Sequence, residues 1–327
     1  MKKMDRNDDN LKKTAVIEGA SESQEISTPP MGIKVIIREF LKDKVAMVAL
    51  ITLALILLTT LIWSIRLDAD AVMAVDIFRN FEKPVDFEWG LIADAWNGEK
   101  TLILGTDDYG RDVFTQLLLA AWNSIIIAVS VTSIVATIGI TLGLVAGYYG
   151  GKVDNAIMRV TDFVMTLPTT MIIIVFMVIV PKVTIPSFVF IMSIFSWTGY
   201  CRVVRSKSLS ESGRDYISGS KTMGTPTWKI ILFEMLPNLS SLIMVQLILS
   251  YAGNIGLETG LTFLGFGLPD QIPSMGRLVS AATTPYNMEF RTWVWLPAST
   301  LILVLMLSIN YVGQALKRAS DAKQRLG

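Results

Sequence analysis

The chain has 327 residues and a net charge of +1, and 52% of its residues are hydrophobic while 17% are charged. Soluble domains contain nearer a quarter of charged residues, so this composition favours a membrane protein, and we expect no nucleic-acid partner. Histidine is absent and Cys201 is the single cysteine, which excludes imidazole catalysis, multi-cysteine metal sites and an intrachain disulfide. Because the sequence contains no GxxxxGK[ST] motif, we expect the chain itself to bind no ATP. We also expect no metal and no other cofactor.

The first 44 residues are polar and are predicted to form a mostly disordered cytoplasmic tail. Apolar residues recur at helical spacing in 31–44, which indicates either an amphipathic helix on the membrane surface or a simple extension of the next helix. Residues 45–65 carry no charge over 21 positions, enough to cross ~30 Å of hydrocarbon. This stretch is the first predicted transmembrane helix.

Residues 66–112 form an acidic segment that contains no run long enough to span a membrane. We expect it to lie outside the cell. It closes on the sequence LGTDDYGRDVF, in which Asp107, Arg111 and Asp112 can cap and pair. The preferred interpretation is that these three residues fix the start of the next helix without touching substrate.

Residues 113–151 are uncharged, and polar residues cluster early in this stretch. The pattern predicts an apolar helix on the outer surface followed by a single span over 124–148. Within the span, Gly139, Gly143 and Gly147 form a small-residue stripe at four-residue spacing. Such a stripe allows another helix to approach closely, although chance occurrence in a glycine-tolerant membrane helix is the alternative.

The next apolar runs predict two further spans. Residues 147–162 read as a short polar turn, and 163–180 as the third span, which Pro168 should kink or break in its first turn. The fourth span is predicted over 187–201.

The C-terminal part supplies the last two predicted spans, at 239–257 and 292–316, followed by a basic tail. Between them, 258–291 is rich in glycine and proline and too broken to span. Such backbone is tolerated at the bilayer edge where protein or a water-filled cavity covers it. Three tryptophans are predicted as interfacial anchors: Trp63, Trp293 and Trp295.

A polar, basic interval, 199–238, separates the fourth and fifth spans. Asp215 is placed to cap a short helix, Gly224 to end it and Pro226 to begin another, while Pro237 stands where the next apolar run begins. This punctuation predicts a rigid short helix presented outside the membrane.

Six spans place both termini and this interval on one side. That side carries 21 of the Lys and Arg residues against 8 opposite, whereas Asp and Glu divide equally. By the positive-inside rule, the termini and the interval are expected in the cytoplasm. No inferred span has a charge in its central part, which disfavours ion-coupled transport and indicates that a partner supplies energy.

Three blocks, in order, resemble the C-type membrane subunit of ABC importers of the oligopeptide, dipeptide and nickel group. The first is LGTDDYGRDVF. The second is the 199–238 interval, similar to the family's EAA motif, with Gly224, Leu236 and Pro237 at the family spacing. The third is ETGLTFLGFGLP, residues 258–269, similar to the family's E-A-x-L-S-F-L-G-L-G.

The sequence also departs from the family pattern. Ser218, Gly219 and Ser220 occupy the Glu-Ala-Ala positions, and Glu234 occupies the Ile position. These departures preserve the predicted helix but remove the glutamate through which a specific contact could be carried over.

The resemblance implies an all-α polytopic membrane protein with the type I ABC importer permease fold. This fold comprises six transmembrane helices, an extracellular insertion at 66–112 and a core at 113–316. The implied partners are a homologous second permease, two cytoplasmic ATP-binding subunits, an extracellular substrate-binding protein, a short peptide as substrate, and membrane lipid. The expected location is the cytoplasmic membrane of a bacterium, with both termini inside.

The resemblance also assigns candidate site residues. The ATPase-coupling candidates are Tyr216, Ser218, Gly219, Ser220, Met223, Gly224 and Pro237. The candidates for the outer mouth of the pathway are Glu258, Phe263, Gly265 and Gly267, where Glu258 either lines the mouth or stabilises the broken backbone.

Two other classes of function stay open at this point. The chain could be a permease for nickel or another small solute, or a membrane scaffold whose basic loop docks a soluble partner without transport. A membrane-embedded enzyme is disfavoured because the sequence has no histidine and none of the inferred spans is expected to bury a carboxylate.

Overall fold

The structure, a computed structural model, describes residues 33–85, 88–97 and 101–326. The predicted N-terminal tail lies mostly outside these residues. The helices are α1 (Ile33–Lys42), α2 (Lys44–Arg66), α3 (Ala69–Val72), α4 (Trp89–Trp96), α5 (Val113–Tyr149), α6 (Gly151–Thr166), α7 (Thr169–Ile179), α8 (Ile185–Ser196), α9 (Thr198–Ser212), α10 (Asp215–Thr222), α11 (Thr227–Lys229), α12 (Leu236–Phe263), α13 (Met275–Ser280), α14 (Pro285–Phe290) and α15 (Thr292–Leu326). A π-helix, Ile230–Met235, joins α11 to α12, and 3-10 turns occur at Ile77–Arg79 and Ala281–Thr283.

The described residues contain no β-strand and only an isolated bridge between Thr106 and Asp112. Four helical stretches are long and apolar enough to cross a membrane: Lys44–Arg66, Val113–Tyr149, Thr227–Phe263 and Thr292–Ala319. Two bent pairs, α6 with α7 and α8 with α9, raise the number to six if each pair is one span. The predicted all-α fold with up to six membrane crossings is confirmed.

The first two helices are separate rather than one extended helix. Asp43 lies between them and caps α2, because its carboxylate accepts hydrogen bonds from the amides of Val45 (3.1 Å) and Ala46 (3.2 Å). The same carboxylate binds Nη2 of Arg318 at 2.7 Å. The start of α2 is therefore joined to α15, near the other end of the chain.

The second predicted span is a single helix, α5, that begins at Val113 and runs for 37 residues without a break. The separate outer helix predicted before it is wrong, since 113–123 continue directly into the span. At 1.5 Å per residue, α5 is about 55 Å long, well beyond the ~30 Å that hydrocarbon requires.

The glycine stripe on α5 is a close-packing surface against α9, as predicted. A methyl group built on Gly143 would lie 2.8 Å from both the carbonyl oxygen of Cys201 and Cβ of Val204. The same addition at Gly139 would overlap Cβ of Tyr200, and at Gly147 it would overlap Cβ of Ser208; both residues belong to α9. The two backbones therefore approach to a distance that only glycine permits.

The connection after α5 and the third span differ from their predictions. Residues 147–162 are not a short turn, because the chain reverses at Gly150 (φ 61°) and then forms the 16-residue helix α6. The break lies between Leu167 and Pro168, where proline lacks an amide donor and forces its predecessor to extended geometry. The helices on either side, α6 and α7, are bent by 76°, so Pro168 breaks the span as predicted.

Trp63 is not an interfacial anchor, which corrects the prediction. Its side chain is 9% exposed and meets Trp96 and Phe114 edge to face, at 5.5 Å and 5.6 Å between ring centroids. It therefore joins α2 to α4 and α5. Trp293 also has a partner in the protein, since its Nε1 donates to the carbonyl of Thr106 at 3.3 Å.

The charged residues just before α5 have the structural role that the sequence predicted. Asp107 accepts hydrogen bonds from the Arg111 amide (2.9 Å) and from Nε2 of Gln116 (3.0 Å). Asp112 caps α5 through the Phe114 amide at 3.2 Å, and burial raises the pKa of this carboxyl. The predicted ion pair between Arg111 and Asp107 is present but long, at 3.8 Å.

The α5–α9 contact generates a stability prediction. Gly143→Ala should lower the unfolding temperature of the purified chain by a few degrees, because the new methyl group overpacks a backbone contact at a cost of about 1–3 kcal/mol. The matched control is Gly253→Ala in α12, where no atom lies within 4 Å of the added carbon. Tryptophan fluorescence during a thermal ramp measures both variants, and equal shifts would contradict close packing at Gly143.

Candidate coupling site and outer mouth

The candidate coupling helix is α10, and its two ends are capped differently. Asp215 is its first residue rather than its cap, which corrects the prediction; Arg214 occupies the cap position without a side-chain hydrogen bond. At the other end Gly224 adopts φ +77°, and its amide donates to the Lys221 carbonyl at 3.1 Å. The next amide, of Thr225, reaches back to the Ser220 carbonyl at 3.0 Å. This pair of bonds is a Schellman motif, so Gly224 ends the helix as predicted.

One apolar side chain, Ile217, fixes α10 to the bundle. It is fully buried in a cluster with Leu144 of α5, Val204 of α9, and Ile230 and Met235 of the π-helix. Burying such a side chain is worth roughly 1.5–3 kcal/mol. The short helix therefore rests on three other helical elements at once.

Polar contacts connect α10 to the elements before and after it. The Tyr216 hydroxyl donates to Glu211 of α9 at 2.7 Å and accepts from Nδ2 of Asn238 of α12 at 2.8 Å. Partial burial, and then the bond to Glu211, raise the pKa of Tyr216, which keeps this hydroxyl protonated as a donor. Ser220 donates to Glu234 of the π-helix at 2.8 Å.

Two departures from the family pattern thus meet in one hydrogen bond. Ser220 stands at the third position of the EAA block and Glu234 at its Ile position. The structure brings them together across 14 residues of chain. Sequence comparison identified each change separately but gave no sign that the two residues are in contact.

The opposite face of α10 is exposed. Ser218 is exposed, Gly219 is half-buried, and Met223 at the tip of the helix has 80% of its surface open. The candidate coupling residues therefore divide into a tethered side and a presented side. Of the latter, Met223 offers the largest apolar contact.

The route from α10 into the membrane passes through an irregular turn. The Leu236 amide bonds to the Ile231 carbonyl, five residues back, as a π-helix requires. Pro237 follows directly and has no amide to donate, so the regular i−4 bond is absent at this position. Pro237 lies beside Asn238, which holds Tyr216. The candidate residue Pro237 therefore adjoins the tethered side of α10.

A cavity of about 550 Å³ opens beside this tether. Its charged lining residues are Lys207, Glu211 and Arg214, and Nε of Arg214 pairs with Glu211 at 3.0 Å. Tyr216 and Asn238 form its polar wall. The cavity thus borders the same residues that connect α10 to its neighbours.

The candidate outer mouth lies at the far end of α12. Glu258 is inside the helix rather than in a broken segment, which corrects the prediction, and it is fully buried. The hydroxyls of Thr262 and Thr259 lie 3.2 Å and 3.4 Å from its carboxyl oxygens. This carboxyl lies near the end of the spanning helix, outside the central part that was predicted to carry no charge. The contacts of Glu258 indicate that it holds the end of α12.

The helix ends at a second Schellman motif. Gly265 has φ +84°, its amide donates to the Thr262 carbonyl (3.0 Å), and the Phe266 amide donates to the Leu261 carbonyl (2.9 Å). The predicted break therefore begins at Gly265. Phe263, the last helical residue, is 37% exposed.

Gly265 and Gly267 line a cavity of about 830 Å³, whereas Glu258 and Phe263 do not. A methyl group on Gly267 would overlap the Thr262 side chain, so this position requires glycine. The polar lining includes Lys182, Asp270, Gln271 and Arg277, and the apolar lining includes Val183, Leu268 and Ile272. The four candidates thus lie at one end of α12, but only the two glycines face the cavity.

An all-helical fold with up to six membrane crossings, and a short helix tethered between two of them, defines a membrane permease. Residues 139–326 match the family described as "Binding-protein-dependent transport system inner membrane component". The chain belongs to this family, and its predicted identity as an ABC importer permease of the peptide group is confirmed.

Individual relatives agree with this assignment. The oligopeptide transport system permease protein OppC of Lactococcus lactis subsp. lactis (strain IL1403) is 43% identical over 286 residues, 88% of this chain and 93% of the relative. OppC of Bacillus subtilis (strain 168) is 29% identical over 308 residues, 94% and 95% of the two chains. The dipeptide transport system permease protein DppC of Lactococcus lactis subsp. cremoris (strain MG1363) is 30% identical over 221 residues, 68% and 64% of the two chains.

The Ser220–Glu234 bond is testable by a double-mutant cycle. Ser220→Ala and Glu234→Ala should each speed hydrogen–deuterium exchange in α10, and the double variant should exchange little faster than either single variant, with a coupling of about 0.5–1.5 kcal/mol. Thr222→Ala is the control, because its hydroxyl bonds only within α10, to the Ser218 and Gly219 carbonyls. Fully additive effects would show that the two residues do not interact in solution.

Proposed function

We propose that this chain is the membrane-spanning subunit of an ATP-driven importer of short peptides. The observation that carries the coupling part is α10, a short helix fixed by Ile217 and presented between two bundle helices. The peptide part is supported by the relatives, whose names specify oligopeptide and dipeptide transport rather than nickel.

The proposed partners follow from the absence of an ATP-binding motif and from the family description, which names a binding protein. Its sequence has no P-loop, so two separate ATP-binding subunits hydrolyse ATP. A homologous second permease completes the pathway, and an extracellular binding protein delivers the peptide. In this assignment the exposed side of α10, including Ser218 and Met223, faces an ATPase.

The orientation in the membrane is part of the same proposal. The excess of Lys and Arg on the side of the termini and α10 supports a cytoplasmic location for that side. The acidic 66–112 segment and the cavity at Gly265 then lie outside. The membrane is the cytoplasmic membrane of a bacterium, in line with the sources of the relatives.

The contacts of α10 connect it, through the π-helix, to the spanning helix α12. Closure of the ATPases displaces α10, and the contacts of Ile217 and Ser220 transfer this displacement to the π-helix. The π-helix leads into α12, a 28-residue helix of about 42 Å that ends at Gly265. A rigid helix of that length links the coupling site to the outer cavity, which supports alternating access.

The outer cavity has a lining that suits a zwitterionic peptide. Lys182 and Arg277 are cationic and Asp270 is anionic, while Leu268 and Ile272 provide apolar surface. Arg277 and Asp270 are paired at 3.2 Å, which leaves Lys182 as the cation outside that pair. Peptide ends and side chains require such mixed surfaces.

Uptake by the whole complex tests this proposal. Proteoliposomes containing the chain, its second permease and both ATPases should import labelled short peptides when ATP is enclosed on the α10 side and the binding protein is added outside. Nickel uptake in place of peptide uptake, or activity of the chain without the ATPases, would overturn it.

Substitution of Gly224 gives the most specific test of the coupling role of α10. Gly224→Val forces a β-branched residue to φ +77°, at a cost of about 1–3 kcal/mol, and should reduce peptide uptake at least tenfold by displacing the end of α10. Gly213→Val is the matched control on the other side of α10, because Gly213 has φ −87° and open space around it.

Complex assembly, followed by copurification, should be the same for both glycine variants and the unaltered chain. Wild-type uptake by Gly224→Val, or equal losses in both variants, would remove the coupling role of this turn.

A further inference from the structure

The 66–112 segment contains apolar side chains that no other described part of the chain covers. Phe78 is 99% exposed, the most exposed of the large apolar side chains that the structure describes. Its neighbours Ile77 and Val75 are 76% and 56% exposed. We call these three residues the Phe78 surface. An exposed aromatic residue that follows two exposed aliphatic residues has the composition of a protein-binding anchor.

The turn that carries Phe78 is rigid. It is a 3-10 turn, Ile77–Arg79, bonded on both sides to the loop 106–110. Three bonds hold it: the Asp76 amide to the Tyr109 carbonyl (2.8 Å), the Thr106 hydroxyl to the Arg79 carbonyl (2.5 Å) and Nδ2 of Asn80 to the Asp108 carbonyl (2.8 Å). A preorganised aromatic loses little conformational entropy on binding, so this geometry suits recognition.

The position of the turn favours a soluble partner over lipid. Loop 106–110 lies directly before α5, whose length of about 55 Å exceeds the ~30 Å of hydrocarbon. Even with a tilt of about 40°, α5 projects over roughly 42 Å along the membrane normal. Asp108, in the loop directly before α5, is exposed, and an exposed carboxylate is costly in hydrocarbon, so this end of the helix lies beyond the hydrocarbon.

The charge of the segment specifies the partner further. Residues 66–112 contain eleven Asp and Glu against five Lys and Arg. Asp68, Asp70 and Asp108 are exposed, and Asp108 adjoins the turn through its bond with Asn80. An acidic surface repels anionic lipid headgroups and attracts a protein with basic residues around its docking face.

We propose that the Phe78 surface docks the soluble binding protein, with Phe78 inserted into an apolar pocket rimmed by Lys or Arg. The inference rests on the proposed function, because it takes the outer side of the membrane and the dependence on a binding protein from it. The aromatic anchor controls how long the complex lasts, and the acidic residues of the 66–112 segment control how quickly the complex forms.

Binding kinetics on the intact complex test the docking surface. The whole transporter is immobilised in nanodiscs and peptide-loaded binding protein is passed over it. Phe78→Ser should weaken binding at least about tenfold, mainly through faster dissociation. Met288→Ser is the matched control, since Met288 is 58% exposed on α14 and lies outside the Phe78 surface.

A second arm changes charge alone. The double variant Asp68→Asn with Asp70→Asn should slow association and flatten its dependence on salt, while the dissociation rate stays unchanged. Unchanged binding by Phe78→Ser would overturn the docking surface, and unchanged association by the double variant would overturn the role of the acidic charge. Loss of the second permease from purified Phe78→Ser would also overturn the docking surface, because the surface would then be a subunit contact.

Lipid burial is the remaining outcome against docking. Quenching of the tryptophan in Phe78→Trp by brominated lipids, in the absence of binding protein, would place the surface in the bilayer. Peptide uptake by the unaltered transporter, measured in parallel, separates the two proposals. If uptake fails in the unaltered complex, the proposed function is wrong; if uptake proceeds and Phe78→Ser binds normally, only the docking surface is wrong.

Discussion

The backbone contact between α5 and α9 determines where the coupling helix sits. Because Gly143 permits α9 to lie directly on α5, Val204 of α9 comes beside Leu144 of α5. These two side chains form part of the socket that buries Ile217, which in turn fixes α10. A stripe of small residues near the end of α5 therefore controls the placement of the neighbouring short helix. The coupling site depends on this contact more than on any residue exposed to a partner.

The two ends of the mechanism share one structural solution. Gly224 and Gly265 both end helices through the same pair of backbone bonds, which satisfy carbonyl groups that would otherwise lack partners. Between the two turns the chain is helical from Thr227 to Phe263, with one π-helical irregularity before Pro237. A helix in lipid resists bending because its backbone bonds are internal, so deformation concentrates at these turns and at the irregularity. In the proposed mechanism, a displacement of α10 would therefore be transmitted along α12 rather than absorbed within it.

Most of the features that were predictable from the sequence are governed by local chemistry, and most of those that were missed depend on tertiary contacts. Apolar run lengths gave the membrane crossings, and the αL preference of glycine gave the end of α10 at Gly224. The helix α6 was missed because its charges read as a turn, although they pair with α9: Asp154 with Arg205 and Asp162 with Arg202 at 2.6 Å. Glu258 was placed in a broken segment because the partners of its carboxyl, two threonines, are recognisable only once the helix is known.

The distribution of the family departures over α10 has a chemical consequence. Ser220 faces inward and, with Glu234, provides a hydrogen bond between α10 and the π-helix. Ser218 faces outward and carries no charge at the position where the family has glutamate. In the proposed assembly, an ATPase that meets this surface gains no ion pair from Ser218, while Met223 offers it an apolar contact. The exposed charges of α10 are those of Asp215 and Lys221, so an ion pair with a partner would form at one of these two residues rather than at position 218.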